Sequence, residues 1–317
     1  MNHIIESQQF DRKTIDTVFR TADFLETSPI QSLSGKIMAS LFYEPSTRTR
    51  LSFESAMLRL GGKIITTENA REFSSAAKGE TLEDSIRVIS SYADVIVLRH
   101  NETGAAKRAS LVSKVQVINA GDGRGQHPTQ ALLDLYTIRR EKGKIDGTHI
   151  AMVGDLKNGR TVRSLSYVLG KYKNITITFV SPKELAIGSD ILAYLKRHKV
   201  SFSQTEDLLK AVKNADVVYQ TRIQKERFED PKEYEKFKGV YVVTNAVVKK
   251  MKPNAIVMHP LPRVDEIATE VDSSPKAVYF KQAYYGFLVR KALLHLIFNG
   301  DVLDTVADYA RVKSAVV

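Results

Sequence analysis

The fold of this chain is constrained most by a regular alternation of short apolar runs with longer segments of helical periodicity. Nine runs of strand length occur: KIMASLF (36–42), GKIITTE (62–68), DVIVLRH (94–100), VQVINAG (115–121), HIAMVGD (149–155), NITITFV (174–180), KVSFS (199–203), DVVYQT (216–221) and AIVMHP (255–260). Most are continuously apolar, as expected of strands buried on both faces of a parallel sheet. Helical patterns lie between them, chiefly at 49–61, 81–93, 127–143, 159–172 and 189–199. This order predicts a doubly wound α/β architecture.

The predicted strands divide more naturally into two groups than into one sheet. A chain of 317 residues suits one large or two ordinary domains. A charged, glycine-containing stretch, REKGKIDGTHI (140–150), separates the two groups. We therefore expect one domain over residues 1–143 and another over 144–286, each a mainly parallel sheet flanked by helices. The terminal amphipathic helix, about residues 287–317, is expected to pack back on the first domain.

Composition excludes several classes of site. The chain has no cysteine, so disulfides, cysteine-ligated zinc and thiolate nucleophiles are excluded. The seven histidines show no metal-ligand spacing, and we expect neither a metal nor an organic cofactor. The formal net charge is +11, but the basic residues are interleaved with acidic ones and no nucleic-acid-binding motif occurs. Small anionic substrates explain this balance better than a nucleic acid does.

Nothing in the sequence indicates a membrane or a secretory route. The first ten residues, MNHIIESQQF, lack a cationic segment followed by an apolar core. The apolar runs are far shorter than the ~18 residues needed to span a bilayer. We expect a cytoplasmic protein with no membrane partner.

The stretch FYEPSTRTRLSFE (42–54) places hydroxyl and guanidinium groups where a strand gives way to a helix. Ser46 and Thr47 are typical N-cap residues, and capping alone explains them. A helix N-terminus also presents unpaired N–H groups that bind anions. Arg48 and Thr49 add a bidentate cation and another hydroxyl donor, which favours a phosphate site.

Two neighbouring residues have simpler interpretations. Arg50 precedes Glu54 by four residues and is expected to pair with it on the helix surface. Two adjacent arginines at one helix start repel each other unless an anion offsets them, which also favours the phosphate site. Glu44 is either an ordinary turn carboxylate or a residue that orients arginines across the cleft, and both interpretations stay open.

Further candidates lie just past the carboxyl ends of predicted strands, where open α/β sheets bind ligands. Arg99 and His127 occupy such positions in the first half, and with Thr49 they can stabilise negative charge developing on a carbonyl oxygen. Arg160 and Arg222 occupy such positions in the second half. Arginines are too costly to bury unpaired, and two of them suit a substrate with two carboxylates.

These motifs, in order, resemble those of aspartate carbamoyltransferase catalytic chains within the aspartate/ornithine carbamoyltransferase family. The resemblance extends from about residue 35 to 300 and rests on FYEPSTRTRLSFESAMLRLGG, SSAAKGETLEDSIRVIS, VLRH, NAGDGRGQHPTQALLDLYTI, VGDLKNGRTVRSL, TRIQKER and MHPLPRVDEIA. It implies transfer of the carbamoyl group from carbamoyl phosphate to the amine of L-aspartate, giving N-carbamoyl-L-aspartate and phosphate in pyrimidine synthesis. It also implies that no cofactor is needed.

The resemblance assigns residues to two subsites. Those implied for carbamoyl phosphate are Ser46, Thr47, Arg48, Thr49, Ser74, Lys78, Arg99, His127, Gln130, Leu261 and Pro262, the last two through their backbone carbonyls. Those implied for L-aspartate are Lys78, Arg99, Arg160, Thr161, Arg222, Gln224 and Leu261. The implied catalytic residues are Arg48, Thr49, Lys78, Arg99, His127 and Gln130. His127 would act as a neutral donor to the carbamoyl oxygen, and Gln130 would accept from the carbamoyl amide.

The segment SSAAKGE (74–80) is, from its residues alone, a solvated loop with one lysine. The resemblance instead implies that Ser74 and Lys78 act in the site of a neighbouring subunit, within a homotrimer. Regulatory chains are a possible further partner.

Two alternatives have sequence tests. Ornithine carbamoyltransferases are expected to carry HCLP and HPCQ, whereas this chain has HPLP at 259–262 and HPTQ at 127–130. A catalytically silent phosphate-binding homologue would be expected to lose an arginine or the loop lysine, and all are present here. The first observation favours aspartate as the acceptor, and the second favours an active enzyme.

Overall fold

The computed structural model describes residues 2–73, 75–223 and 230–301. Its chain divides into two compact units, one of residues 1–132 with 285–317 and one of residues 133–284. We call them unit 1 and unit 2. The domain bounds predicted from the sequence, 1–143 with 287–317 and 144–286, stay a prediction.

Unit 1 is built on a parallel sheet of four strands in the order β2-β1-β3-β4. The strands are β1 (Ile37–Phe42), β2 (Lys63–Glu68), β3 (Val95–His100) and β4 (Gln116–Asp122). β3 is buried along its whole length, whereas β2 is exposed at most positions because it forms an edge. The sheet packs on a core of aliphatic side chains that includes Ala39, Ile86 and Ile96.

The helices that lie wholly within unit 1 are α1 (Arg12–Thr27), α2 (Thr47–Arg59), α3 (Ala70–Phe73), α4 (Leu82–Ile89) and α5 (Ala105–Val112). Short 3₁₀-helices cover Ser7–Gln9 and Ser75–Lys78.

Unit 2 is built on a parallel sheet of five strands in the order β7-β6-β5-β8-β9. The strands are β5 (His149–Val153), β6 (Thr176–Val180), β7 (Ser201–Thr205), β8 (Val217–Gln220) and β9 (Ile256–Met258). The helices are α7 (Arg160–Leu169), α8 (Ser189–Arg197), α9 (Leu208–Asn214), α10 (Pro231–Phe237) and α11 (Asn245–Val248), with 3₁₀-helices at Lys183–Leu185 and Thr269–Ser273. Its core includes Val153, Val218 and Val257, one from each of the three strands β5, β8 and β9.

Two helices continue from one unit into the other. α6 (Pro128–Lys142) begins in unit 1, and α12 (Tyr279–Asn299) begins in unit 2. The C-terminal part of α12 packs within unit 1, where Arg290 donates to Ser52 Oγ at 2.9 Å and Lys291 donates to the Leu25 carbonyl at 2.8 Å. The predicted packing of the C-terminal helix on the first domain is therefore confirmed up to Asn299.

The fold class predicted from the sequence is correct, and each of the nine predicted strands is present. The helix predicted for about residues 287–317 begins earlier, at Tyr279, and residues 302–317 lie outside the described part of the chain. The prediction missed α1, although Ile15, Val18 and Phe19 are spaced as the buried face of a helix and Asp11 caps it through Thr14 N–H.

Candidate functional site

Unit 1 gathers one group of predicted site residues at the carboxyl edge of its sheet. The strand order reverses direction between β1 and β3, and ligands of open α/β sheets bind at such a switch point. Ser46 follows β1, Arg99 lies in β3, and His127 follows β4. Parallel strands end at the same edge, so the fold brings these three segments together.

The start of α2 is suited to bind an anion. Ser46 occupies the N-cap position, but its side chain forms no capping hydrogen bond within the described residues. The predicted N-cap position of Ser46 is therefore confirmed, whereas the expected capping hydrogen bond to its hydroxyl oxygen is not formed. The dipole and the backbone N–H groups of the helix favour negative charge at this end.

Arg48 and Thr49 add to this helix end. Thr49 is buried, while the Arg48 side chain is exposed. Arg48 has no ion-pair partner among the residues that the structure describes. A guanidinium in this position is free to bind a phosphate in a bidentate manner.

Arg50 is neutralised by the protein itself. Its predicted pair with Glu54 is confirmed at 3.5 Å, but Glu68 is closer at 2.7 Å, and the Arg50 side chain is only 20% exposed. Glu54 is buried and also accepts from Ser40 and Thr66 hydroxyls at 3.0 and 2.7 Å. The argument that an anion must offset the repulsion between Arg48 and Arg50 is therefore weakened, because two carboxylates already offset the charge of Arg50.

Arg99 is held in place by two contacts within unit 1. Its Nη2 lies 3.3 Å from Glu44 Oε1, and its Nη1 donates to the Ala120 carbonyl at 3.3 Å. Arg99 is 9% exposed. Glu44 therefore orients an arginine of its own unit, and a role toward arginines across the cleft stays a prediction.

His127 lies directly before α6 and is 3% exposed. Its carbonyl accepts from the N–H groups of Gln130 and Ala131 at 3.0 and 3.2 Å, so it ends the loop and begins the helix. Its Nδ1 lies 3.5 Å from Thr129 Oγ1. The buried Gln130 follows one turn later, at the same end of α6.

The loop before His127 is fixed by a buried aspartate. Asp122 accepts from the Gly104 N–H at 2.9 Å, from the Gln126 N–H at 3.0 Å and from Asn119 Nδ2 at 3.1 Å. Gly123 has φ +47°, and a Cβ there would lie 2.6 Å from Thr103 N. Glycine is required at this position, since both the backbone conformation and the space exclude a larger residue.

The predicted trans-acting loop is only partly described. Residues 75–78 form a 3₁₀-helix rather than an irregular loop, and the Lys78 side chain is exposed. Ser74 and Gln224 lie outside the described residues.

Unit 2 gathers a second group at the carboxyl edge of its own sheet. Arg160 begins α7 after β5, and Arg222 follows β8, which pairs directly with β5. The two turns touch: Thr221 N–H donates to the Val153 carbonyl at 2.8 Å, and a Cβ on Gly154 would lie 2.3 Å from the Thr221 carbonyl oxygen. Both arginines are partly exposed, and the edge they share suits a small molecule with two carboxylates.

The turn after β9 is organised around His259. The Leu261 N–H donates to His259 Nδ1 at 2.7 Å, which assigns the ring proton to Nε2. That nitrogen lies 2.7 Å from Glu266 Oε1, and Glu266 Oε2 accepts from the Val264 and Asp265 N–H groups. Burial acts to raise the pKa of Glu266, but these hydrogen bonds outweigh it and lower the pKa. Leu261, with φ +51°, precedes the cis bond to Pro262.

Sequence reasoning missed a buried polar network in unit 2. The fully buried Tyr219 donates its hydroxyl to Asp134 Oδ2 at 2.7 Å, and Gln282 donates to Asp134 Oδ1 at 2.7 Å. Burial, with the charge of Asp134, raises the pKa of Tyr219 well above its ordinary value, so the hydroxyl stays a donor. A lone aspartate inside the apolar run ALLDLYTI was the available signal.

The described residues also bear on metals and membranes. Among residues 2–73, 75–223 and 230–301, no group of three or more His, Asp or Glu side chains is arranged to hold a metal ion. Within the same ranges, no helix combines the length and apolar character needed to cross a bilayer.

Together, the two parallel sheets with arginines at their carboxyl edges define an α/β protein that binds small anions. The family model for the carbamoyl-phosphate-binding domain of aspartate/ornithine carbamoyltransferases matches residues 2–140, and the model for the aspartate/ornithine-binding domain matches residues 146–297. The chain belongs to the aspartate/ornithine carbamoyltransferase family.

Relatives with high sequence identity are named aspartate carbamoyltransferases. The aspartate carbamoyltransferase catalytic subunit of Methanocaldococcus jannaschii is 54% identical over 299 residues, covering 93% of this chain and 97% of the relative. The chloroplastic aspartate carbamoyltransferase 2 of Pisum sativum is 55% identical over 306 residues, covering 95% of this chain and 80% of the relative.

Solved structures of aspartate transcarbamoylases superpose closely on this chain. The catalytic subunit of M. jannaschii aspartate transcarbamoylase superposes with a TM-score of 0.86 at 53% identity, covering 94% of this chain and 98% of that one. Aspartate transcarbamoylase from Trypanosoma cruzi, in complex with N-(phosphonacetyl)-L-aspartic acid, superposes with a TM-score of 0.88 at 40% identity, covering 93% and 95%.

Proposed function

We propose that this chain is an enzyme that transfers the carbamoyl group from carbamoyl phosphate to the amine of L-aspartate. The products are N-carbamoyl-L-aspartate and phosphate, and the reaction serves pyrimidine synthesis. The observation that carries the proposal is the 54% identity, over nearly the full length of both chains, to an aspartate carbamoyltransferase catalytic subunit. The T. cruzi relative is also described in complex with carbamoyl phosphate and aspartate together.

In this proposal the N-terminus of α2, in unit 1, binds the phosphate. The α2 N-terminus supplies N–H groups and dipole, and Ser46, Thr47, Arg48 and Thr49 supply hydroxyl and guanidinium donors. Arg48, which is exposed and has no ion-pair partner among the described residues, carries most of this interaction, because a charged bidentate bond is stronger than a neutral one. Ser74 and Lys78 complete the phosphate shell.

The carbamoyl group is held by a second set of contacts. Arg99, fixed by Glu44, and the buried His127 donate with Thr49 to the carbamoyl oxygen. Gln130 and the backbone carbonyls of Leu261 and Pro262 accept from the carbamoyl amide.

L-Aspartate binds through its two carboxylates. Arg160, Thr161 and Arg222 lie at the carboxyl edge of the unit 2 sheet and supply the donors, with Gln224, Lys78, Arg99 and the Leu261 carbonyl also contributing. Two guanidinium groups at one edge match a dicarboxylate and discriminate against ornithine, whose side chain carries an amine.

The chemistry needs no covalent intermediate with the protein. The deprotonated amine of aspartate attacks the carbamoyl carbon, and its nitrogen forms the new C–N bond. The carbamoyl C–O bond to phosphate then breaks, and the phosphate leaves with the bonding electron pair and accepts the second amine proton. Donors aimed at the carbamoyl oxygen stabilise the negative charge that develops there, and positioning of the two substrates supplies much of the remaining rate enhancement.

The active unit is proposed to be a homotrimer in which Ser74 and Lys78 act in the site of the adjacent subunit. Unit 1 has apolar surface available for such contacts: Leu51 and Leu58, two turns apart on α2, are 50% and 54% exposed, and Ile65 on the edge strand β2 is 41% exposed. Apolar side chains exposed together on an edge suit an interface. Regulatory chains are a further possible partner, and the proposed compartment is the cytoplasm.

A direct assay tests the function. The purified chain is incubated with carbamoyl phosphate and L-aspartate, and N-carbamoyl-L-aspartate is identified by mass spectrometry while phosphate is measured in parallel. We expect both products in equal amounts and only slow phosphate release without aspartate. Phosphate release without the carbamoylated product would contradict the proposal. No observation favours ornithine transfer or a catalytically silent role, so neither is proposed.

A further inference from the structure

A continuous line of hydrogen bonds runs through the buried interior of unit 2, from Tyr219 in β8 to the turn after β9. Tyr219 lies in β8, three residues before Arg222. Tyr219 donates to Asp134 in α6, and Gln282 in α12 donates to the other oxygen of the same carboxylate. Asp134 and Tyr219 are fully buried and Gln282 is 1% exposed.

The line continues into the turn after β9. Gln282 Oε1 accepts from the His259 N–H at 2.9 Å, so one amide side chain joins Asp134 to this turn. His259 Nδ1 accepts from the Leu261 N–H, and His259 Nε2 contacts Glu266, whose other oxygen accepts from two backbone N–H groups. Every group in the line therefore has a defined direction, and the orientation of the Leu261 peptide depends on it.

Burying a carboxylate in a protein core has a large cost in desolvation free energy. Apolar residues of similar volume are often at least as stable as buried charged groups. A fully satisfied network instead fixes its members in one arrangement. This difference separates a positioning role from simple core packing, since only positioning predicts an effect on the groups at the ends of the line.

We propose that Asp134, Tyr219 and Gln282 are positioning residues that link the end of β8, which leads to the aspartate-binding Arg222, to the carbamoyl-binding carbonyls of Leu261 and Pro262. The inference rests on the proposed function, because that function assigns the two ends of the line to the two substrates. None of the three positioning residues contacts substrate. Their effect is to hold the two subsites in register through the interior of unit 2.

The test uses Tyr219→Phe, which removes the hydroxyl and keeps the ring, and two stable ligands measured by calorimetry without aspartate. Phosphonoacetamide carries the amide that Leu261 and Pro262 would accept from, whereas inorganic phosphate carries only the anion. We expect the variant to bind phosphonoacetamide about fivefold more weakly, the effect of one misplaced hydrogen bond, with phosphate affinity unchanged. General destabilisation would move both affinities. Unchanged affinity of the variant for phosphonoacetamide would overturn the inference. An equal loss of affinity for both ligands would overturn it as well.

Tyr194→Phe is the matched control. Tyr194 is also a nearly buried tyrosine of unit 2, and its hydroxyl donates to the Tyr167 carbonyl at 2.9 Å, outside the line. We expect it to change neither ligand affinity. If Tyr219→Phe does not fold, Asp134→Asn removes the charge at the centre of the line with little change of shape and is held to the same two-ligand criterion.

A double-mutant cycle tests continuity. Tyr219 and Glu266 share no partner among the contacts described above, so independent effects on kcat/KM for aspartate would multiply. A continuous line predicts that Tyr219→Phe combined with Glu266→Gln costs little more than the more damaging single variant. Multiplying effects would contradict a continuous line. Wild-type turnover with aspartate is measured alongside: its absence would count against the proposed function, whereas normal turnover with multiplying effects would count only against this inference.

Discussion

Glu44 Oε1 lies 3.3 Å from Arg99 Nη2, and this ion pair, with the bond from Arg99 to the Ala120 carbonyl, fixes the guanidinium at the carboxyl edge of the unit 1 sheet. The side chain of Arg99 is 11% exposed and that of Glu44 is 31% exposed. A partly exposed pair contributes little to stability but restricts the directions in which the arginine can point. We therefore expect loss of this ion pair to lower the turnover rate rather than the stability of the fold.

Glu44→Gln tests this role. We expect kcat to fall about tenfold, because a donor to the developing charge is no longer held in place, while the melting temperature changes little. Glu83→Gln is the matched control, since Glu83 forms an exposed pair with Arg108 in the same unit at 2.8 Å. Equal activity losses in the two variants would contradict a specific role for Glu44.

Arg48→Ala tests the phosphate site. Because Arg48 is exposed and unpaired within the described residues, its removal should leave the free energy of unfolding nearly unchanged. We expect kcat/KM for carbamoyl phosphate to fall at least about 100-fold, as for loss of a charged bidentate donor. Arg87→Ala, which removes an exposed arginine paired with Asp84, is the control and should behave as wild type. Near-normal kinetics of Arg48→Ala would reject the assignment.

Mixing two inactive variants tests sharing between subunits. If Lys78 acts in the neighbouring site, trimers formed from equal amounts of Arg48→Ala and Lys78→Ala chains contain about a quarter of sites with both residues intact. We expect activity to rise toward that fraction after dissociation and reassembly, with each variant reassembled alone as control. No recovery in trimers verified as hybrid by mass spectrometry would mean that Lys78 acts within its own chain.

The buried Glu266 predicts a pH dependence of stability. Its pKa is lowered in the folded protein, so its contribution is fully present above the unfolded pKa of about 4.5 and is lost as the pH falls through the lower folded value. Glu266→Gln should therefore be less stable than wild type at pH 7, and the difference should shrink below about pH 4. Urea unfolding at both pH values measures this. A difference that is constant with pH would contradict the lowered pKa.

Much of the fold follows from local pattern. Continuous apolar runs such as DVIVLRH became strands buried along their length, because a parallel sheet covered on both faces needs no alternation. The junction of β1 and α2 was also predictable, because an apolar run ends at Pro45 and helical spacing follows. The phosphate site that its hydroxyls and arginine indicate stays a prediction.

What escaped prediction depends on contacts distant along the chain. Tyr219 meets Asp134 across 85 positions and Gln282 meets Asp134 across 148. Likewise, Arg50 pairs more closely with Glu68 on β2 than with Glu54, its neighbour one helical turn away. Helical spacing predicts Glu54 as the partner of Arg50. The pairing of β2 with β1 places Glu68 closer to Arg50, and helical spacing does not predict this contact.

The most direct test of the central claim compares acceptors. The value of kcat/KM is measured for L-aspartate and for L-ornithine at saturating carbamoyl phosphate with the same enzyme preparation. The two arginines of unit 2, and HPLP in place of HCLP, predict that aspartate is preferred by at least about 1,000-fold, as for a site built to hydrogen-bond a polar group that the wrong substrate lacks. Equal use of the two amines, or a preference for ornithine, would contradict the account.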